Sequence, residues 1–168
     1  GAFDPYYYVY VIHPSVTQMN LPMNISCRDT VVKTDYTGRM NITMEYGMLI
    51  GDAGFNYSTN GIPIMFTLEY DGKEYSTGFV GDSKYNQDLN DLGLPNVSSS
   101  GVGTLTFNKD KLTPTKALIK VYSPFCGVDF NLTGNCILVQ EKGVTFIVGN
   151  DPTYKDKSNT NRFKWIKD

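Results

Sequence analysis

Residues 64–70 read Ile-Met-Phe-Thr-Leu-Glu-Tyr, and Asp71-Gly72 follows at once. Ile64, Phe66, Leu68 and Tyr70 therefore recur at every second position, which puts them on one face of an extended chain. The Asp-Gly step supplies the positive backbone angles of a type I′ turn, so a hairpin returning through 74–77 is predicted. The same period of two, broken by Gly, Pro, Asn or Asp about every eight to twelve residues, governs most of the chain. Leu105 and Phe107 begin a strand, and 117–122 form another after Pro114. Residues 137–139 and 144–148 read as a second hairpin, 163–166 as a short last strand, and 7–12 as an early one. Met40, Met44 and Met48 fit one face of a helix or of a strand, and the β-branched Ile42 and Thr43 favour the strand. Segments 82–101 and 149–162 hold the densest turn chemistry and are expected to be surface loops. Many short strands with no linker, repeat or charge block imply one all-β domain over 1–168, a sandwich or barrel.

Charge narrows the partners. Fifteen Lys and Arg against seventeen Asp and Glu leave a net charge of −2, which gives no footprint for nucleic acid or an anionic membrane. No apolar run approaches the length of a membrane span, and no basic start with an apolar stretch marks a signal peptide. Only 19% of residues are charged, while Tyr, Thr, Asn and Gly are abundant. That balance suits a secreted or processed β-protein whose surface is polar through hydroxyls and amides.

Three cysteines allow one bridge. Cys126 and Cys136 bracket turn formers at Gly127 and Gly134-Asn135, which predicts a loop or hairpin stapled between them in an oxidising compartment. Cys27 is then a small buried hydrophobe, or pairs in place of one of the two. Five Asn-x-Ser/Thr sequons stand at Asn24, Asn41, Asn56, Asn96 and Asn131. They mean glycosylation only in a eukaryotic host, where the chain would be an Ig-like domain of a eukaryotic or viral glycoprotein.

Catalytic chemistry finds little to stand on. The one histidine, His13, rules out a histidine-built zinc site, and no cysteine pair has metal spacing. Residues 88–93 look like part of a calcium loop, but Leu92 occupies a ligand position and no glutamate follows at the right distance. Gly101-Val102-Gly103 lacks the strand and helix that flank a phosphate loop. The expectation is a non-enzymatic protein without metal or cofactor. Two segments read as polar loops, 27–36 and 149–161, mix carboxylates, amides and tyrosines as sugar sites do. The Tyr6-Tyr7-Tyr8 cluster offers an alternative, binding a host protein through exposed aromatics.

The order of these motifs resembles the N-terminal receptor-binding domain of chaperone–usher fimbrial tip adhesins. Tyr8-Val9-Tyr10-Val11 stands for the family's early strand, and Met23-Asn24-Ile25-Ser26-Cys27 for the segment that ends in its cysteine. Arg28-Asp29 and Thr34-Asp35-Tyr36 follow, and residues 144–148, the 149–162 loop and Phe163-Lys164-Trp165 match the family's ending. The resemblance implies an immunoglobulin-like β-sandwich, an elongated jelly-roll or Greek-key variant, exported through the periplasm and displayed at a fimbrial tip. It implies a lectin-like domain, monomeric when isolated, whose C-terminal pilin domain has been removed. That missing domain would contact the chaperone and pilus subunits. By position, Asp29 and Asp35 would accept bonds from a host glycan, Asn150, Asp151, Asn159 and Asn161 would complete a polar floor, and Tyr36 and Tyr154 would wall it. The early cysteine that pairs with the Cys27 counterpart in the type 1 pilus branch is absent here, which sets aside mannose and an N-terminal contribution.

Overall fold

A computed structural model describes residues 23–138 of the chain. Seven strands carry it: β1 (Met23–Ser26), β2 (Thr30–Glu45), β3 (Gly51–Thr59), β4 (Ile64–Tyr70), β5 (Lys73–Val80), β6 (Val102–Lys109) and β7 (Lys116–Asn135). One short helix, α1 (Asn86–Asp91), follows a 3₁₀ turn at Ser83–Tyr85 in the connection from β5 to β6.

Two long strands organise the rest. β2 and β7 pair antiparallel along most of their length, and β7 takes a different second neighbour at each end. The first half of β7 lies beside β4, with Leu68 opposite Ile119, and the second half lies beside β3, with Tyr57 opposite Leu132. The pairing slips on both sides of Tyr36, where Asp35, Gly38 and Gly127 all take positive φ. These irregularities bend the two strands, so one hydrogen-bonded sheet folds over on itself into two layers. One layer runs β5-β4-β7-β2-β1, with β1 parallel to β2, and the other β6-β3-β7-β2.

The core is what this folding closes on. Phe66 of β4 meets Phe55 and Tyr57 of β3 and Phe130 of the second half of β7, with ring centroids 5.1 to 5.8 Å apart. Those contacts join the two layers face to face. Ile64, Phe66, Leu68 and Tyr70 are all buried, as the period of two requires, and so are Met40, Ile42 and Met44 of β2. Each such side chain stabilises the fold by about 1.5–3 kcal/mol. Asp71 and Gly72 have φ of 50° and 79°, the two positive angles of a type I′ turn. The fold is all-β, an immunoglobulin-like sandwich.

Some expectations need correction. Cys136 bonds to Cys27, not to Cys126, which stays free and exposed. Cys126 lies within β7 and Cys136 just past its end. Ten residues of extended chain span roughly 30 Å, against about 6 Å between the α-carbons of a disulfide. Residues 30–36 form strand, not loop, and Ile137 and Leu138 follow β7 without strand pairing. Met48 sits beyond β2, exposed. The expected strands at 7–12, 144–148 and 163–166 lie outside the described residues, as does His13.

Candidate functional site

Asp29 closes the tight turn between β1 and β2. Its Oδ2 accepts the Ser26 amide at 2.8 Å, and its own amide donates to the Ser26 carbonyl at 3.0 Å. The carboxylate serves the backbone. Asp35 stands at the β2 bulge with φ of 51°, and its amide donates to Asp129 Oδ1 at 2.9 Å. The two aspartates are six positions apart, roughly 20 Å of extended chain. Tyr36 turns inward, edge-on to Phe130 at 5.6 Å. Burial pushes its phenol far above the ordinary tyrosine range, and its hydroxyl has no hydrogen-bond partner among the described residues. The Asp29 carboxylate is thus held by its own turn and the Tyr36 hydroxyl faces inward, while Asp35 stays exposed at the bulge. Asn150, Asp151, Tyr154, Asn159 and Asn161 lie outside the described residues.

The two outer faces of the sandwich differ in chemistry. On the β5-β4-β7-β2 layer, Lys120 pairs with Glu69 at 2.7 Å, and Arg39 lies 4.0 Å over the Tyr122 ring. A groove of about 510 Å³ there runs between Glu69, Glu74, Lys73 and Lys116. That face is mixed in charge, and its cations already have partners or close counter-charges.

The β6-β3-β7-β2 layer is nearly uncharged. Register aligns Val32, Asn131, Ser58 and Val102 in one row across four strands. The adjacent row is Thr30, Thr133, Asn56 and Thr104. Neighbouring strands lie about 4.8 Å apart, so each row is a ladder of side chains within reach of one another.

The second row is locked. Thr30 and Thr133 hydroxyls bond at 3.0 Å, and Thr104 Oγ1 donates to Asn56 Oδ1 at 2.6 Å. The Asn56 and Asn135 amides bond each other reciprocally, at 3.3 and 3.0 Å. In the first row, the Asn131 and Ser58 side chains form no hydrogen bond with any described residue. Val32 and Val102 flank them with 62% and 66% of their surface exposed. A shallow groove of about 370 Å³ runs over this surface, lined by Asn56, Ser58, Val102, Thr104, Asn131 and Thr133.

This is a platform of free amide and hydroxyl groups between apolar methyls, backed by a row whose rotamers are fixed. It can hydrogen-bond a neutral polyhydroxyl ligand and cover its C–H surface. It has no group that titrates near neutrality and no nucleophile with a base. Among the described residues no three His, Cys, Asp or Glu side chains cluster as metal ligands would.

Reading the chain for loop carboxylates missed these residues, yet the sequence carried a signal for them. A sequon places Asn and Ser or Thr two positions apart, which is the period of a strand. Asn56 with Ser58 and Asn131 with Thr133 therefore fall on one face, and the antiparallel register sets them side by side.

No family model matches this chain, and no curated protein matches it. Among solved structures it is similar to the pre-peptidase C-terminal domain of collagenase from Bacillus anthracis, at a TM-score of 0.46 and 11% identity. That alignment covers 68% of this chain and 94% of the collagenase domain.

Proposed function

We propose that this chain is a binding module, not an enzyme, that holds a neutral glycan across the Val32–Asn131–Ser58–Val102 row. One observation carries the reading: Asn131 and Ser58 present amide and hydroxyl groups side by side, bonded to no described residue, on a nearly uncharged face beside a row whose side chains bond one another and Asn135. The Asn131 amide both donates and accepts, which suits vicinal hydroxyls. The two valines cover the apolar face of a sugar ring, in place of the aromatic stack that many lectins use.

The motif order and the low charge support the wider setting, an exported adhesin domain displayed at a fimbrial tip and binding a glycan or glycoprotein of a host cell. A disulfide between Cys27 and Cys136 fits an oxidising compartment. In this setting the loop aspartates of the resemblance give way to the sheet face as ligand contacts.

Binding is weak for one module. Each exposed hydrogen bond gains about 1 kcal/mol net, so a handful gives a Kd near millimolar, and display in many copies raises the avidity. A glycan array tests the site with the full chain. Neutral glycans bind, Asn131→Ala and Ser58→Ala each lose about tenfold, and Asp35→Ala keeps wild-type binding. An array with no neutral glycan bound, or both row variants binding as wild type, rejects the reading.

A further inference from the structure

Met48, Leu49 and Ile50 follow one another in the β2–β3 loop, with 59%, 42% and 56% of their surface exposed. Leu112, in the β6–β7 loop, is 52% exposed. Scattered exposed apolar residues need no explanation, but three consecutive ones joined to a fourth on a neighbouring loop form a patch.

What joins them is Lys109. Its side chain is fully buried, and its Nζ donates to the carbonyls of Leu49 at 2.8 Å, Lys111 at 2.7 Å and Leu112 at 2.8 Å. All three ammonium protons are thus spent on the backbone of the two apolar loops. Further bonds fix the base of the tip: the Tyr46 amide to the Thr115 carbonyl, and the Gly47 amide and Thr115 hydroxyl to the Glu45 carboxylate. The tip is rigid before any partner arrives, which lowers the entropy cost of docking it.

We propose that this tip is a second binding surface, which seats Met48, Leu49, Ile50 and Leu112 in the interface of a phosphatidylcholine bilayer. Backbone carbonyls that leave water must be satisfied from within the protein. Here an amine beneath the loops does that for three of them, while the side chains above are apolar. The charges around the tip fit a neutral headgroup. Lys111 pairs with Asp71 at 2.8 Å, and Glu45 is the carboxylate that acts on the buried Lys109 ammonium, so no cationic excess selects anionic lipid. The glycan row lies at the opposite end of β3 and β6: Ser58 is seven positions, roughly 23 Å of strand, from Gly51. The two surfaces can be tested apart.

The experiment is flotation of the full chain with pure phosphatidylcholine vesicles, read against lipid concentration. Wild type reaches half-binding at about millimolar lipid, as expected of a few shallow side chains. Leu49→Asp and Ile50→Asp each weaken flotation at least tenfold and keep the wild-type melting temperature. Leu92→Asp, at a comparably exposed leucine beyond α1, leaves flotation unchanged. Should Ile50→Asp fail to fold, Leu112→Ser serves the same comparison. Wild type that stays unbound at about 5 mM lipid overturns the proposal, as do charged variants that float like wild type. A dimer seen by light scattering that Ile50→Asp dissolves also overturns it, because a second copy then covers the tip.

Discussion

Gly134 lies flat against Cys27, whose backbone carbonyl occupies the place a side chain at 134 would take; the Cys27 Cα is 2.7 Å from that position. The Gly134 amide donates to the Asp29 carbonyl at 3.1 Å, which ties the end of β7 to the β1–β2 turn. Two residues later Cys136 reaches Cys27, with α-carbons 5.1 Å apart. The glycine is what lets two backbones approach closely enough for the bridge to close.

Gly134→Ala should therefore destabilise the protein by about 2–3 kcal/mol, because backbone rather than a flexible side chain must move aside. Thermal unfolding measures the loss. The same variant should show slower disulfide formation on oxidative refolding, which a simple surface defect would not cause.

The bridge joins positions 109 residues apart. In the chain-entropy account such a loop is worth about 4–5 kcal/mol. Cys27→Ser or Cys136→Ser should lose most of that, whereas Cys126→Ser should be neutral within about 0.5 kcal/mol. Thiol titration of the native protein should count one reactive cysteine, and alkylation followed by peptide mapping should find the label on Cys126. A label on Cys27 would contradict the pairing.

How much of this could be read from the chain depends on the range of the interaction. The hairpin at Ile64–Tyr70 and Lys73–Val80 was legible because its signals, alternation and Asp-Gly, are local. The pairing of Cys27 with Cys136 was not, because it depends on where the end of β7 lies relative to β1. Spacing along the sequence favoured Cys126, but a strand keeps neighbours in sequence apart. The candidate site was hidden for the same reason. Ser58 and Asn131 are 73 positions apart in the chain, and only the β3–β7 register makes them neighbours. Loop aspartates drew notice as ligand groups, yet Asp29 is occupied by its own turn, as Asp residues in turns commonly are.

Two inward tyrosines separate a satisfied hydroxyl from an unsatisfied one. Tyr46 donates to the Gly54 carbonyl at 2.9 Å, while Tyr36 has no partner among the described residues. Tyr46→Phe should cost about 1–2 kcal/mol, and Tyr36→Phe should be neutral or slightly stabilising. Urea unfolding of the two variants makes the comparison directly. Equal losses would mean that the Tyr36 hydroxyl finds a partner in solution.

Alkaline pH should expose the same groups. Burial raises the Tyr36 and Tyr46 phenols above the ordinary value of 10.0. A group raised in the folded state contributes stability that is whole below its unfolded value and is lost as pH climbs from there toward its folded value. Stability should thus begin to fall above about pH 10, by at most about 1.4 kcal/mol per pH unit for Tyr46. Denaturant melts from pH 9 to 11.5 test this, and the decline should be shallower in Tyr46→Phe. Desolvation acts on Lys109 in the opposite sense, holding its ammonium below the usual lysine range, so its contribution rises with pH between its folded value and 10.5. It is one group against two phenols, so the net trend remains downward.

Lys109 also makes a prediction about local order. Lys109→Met keeps most of the buried stem but strands the carbonyls of Leu49, Lys111 and Leu112. Each stranded carbonyl costs about 1 kcal/mol, and relief from burying a charge offsets part of the sum, leaving a net loss of about 1–3 kcal/mol. Arginine should not rescue it, because a planar fork does not match three carbonyls converging on one nitrogen. The loss should be concentrated where the bonds are. Hydrogen exchange of the Lys109→Met protein should accelerate in the 46–50 and 110–115 loops, while the amides of β2 and β7 that face each other in the core stay protected. Uniform acceleration across the sandwich would instead make Lys109 part of the global fold rather than the clasp of two loops.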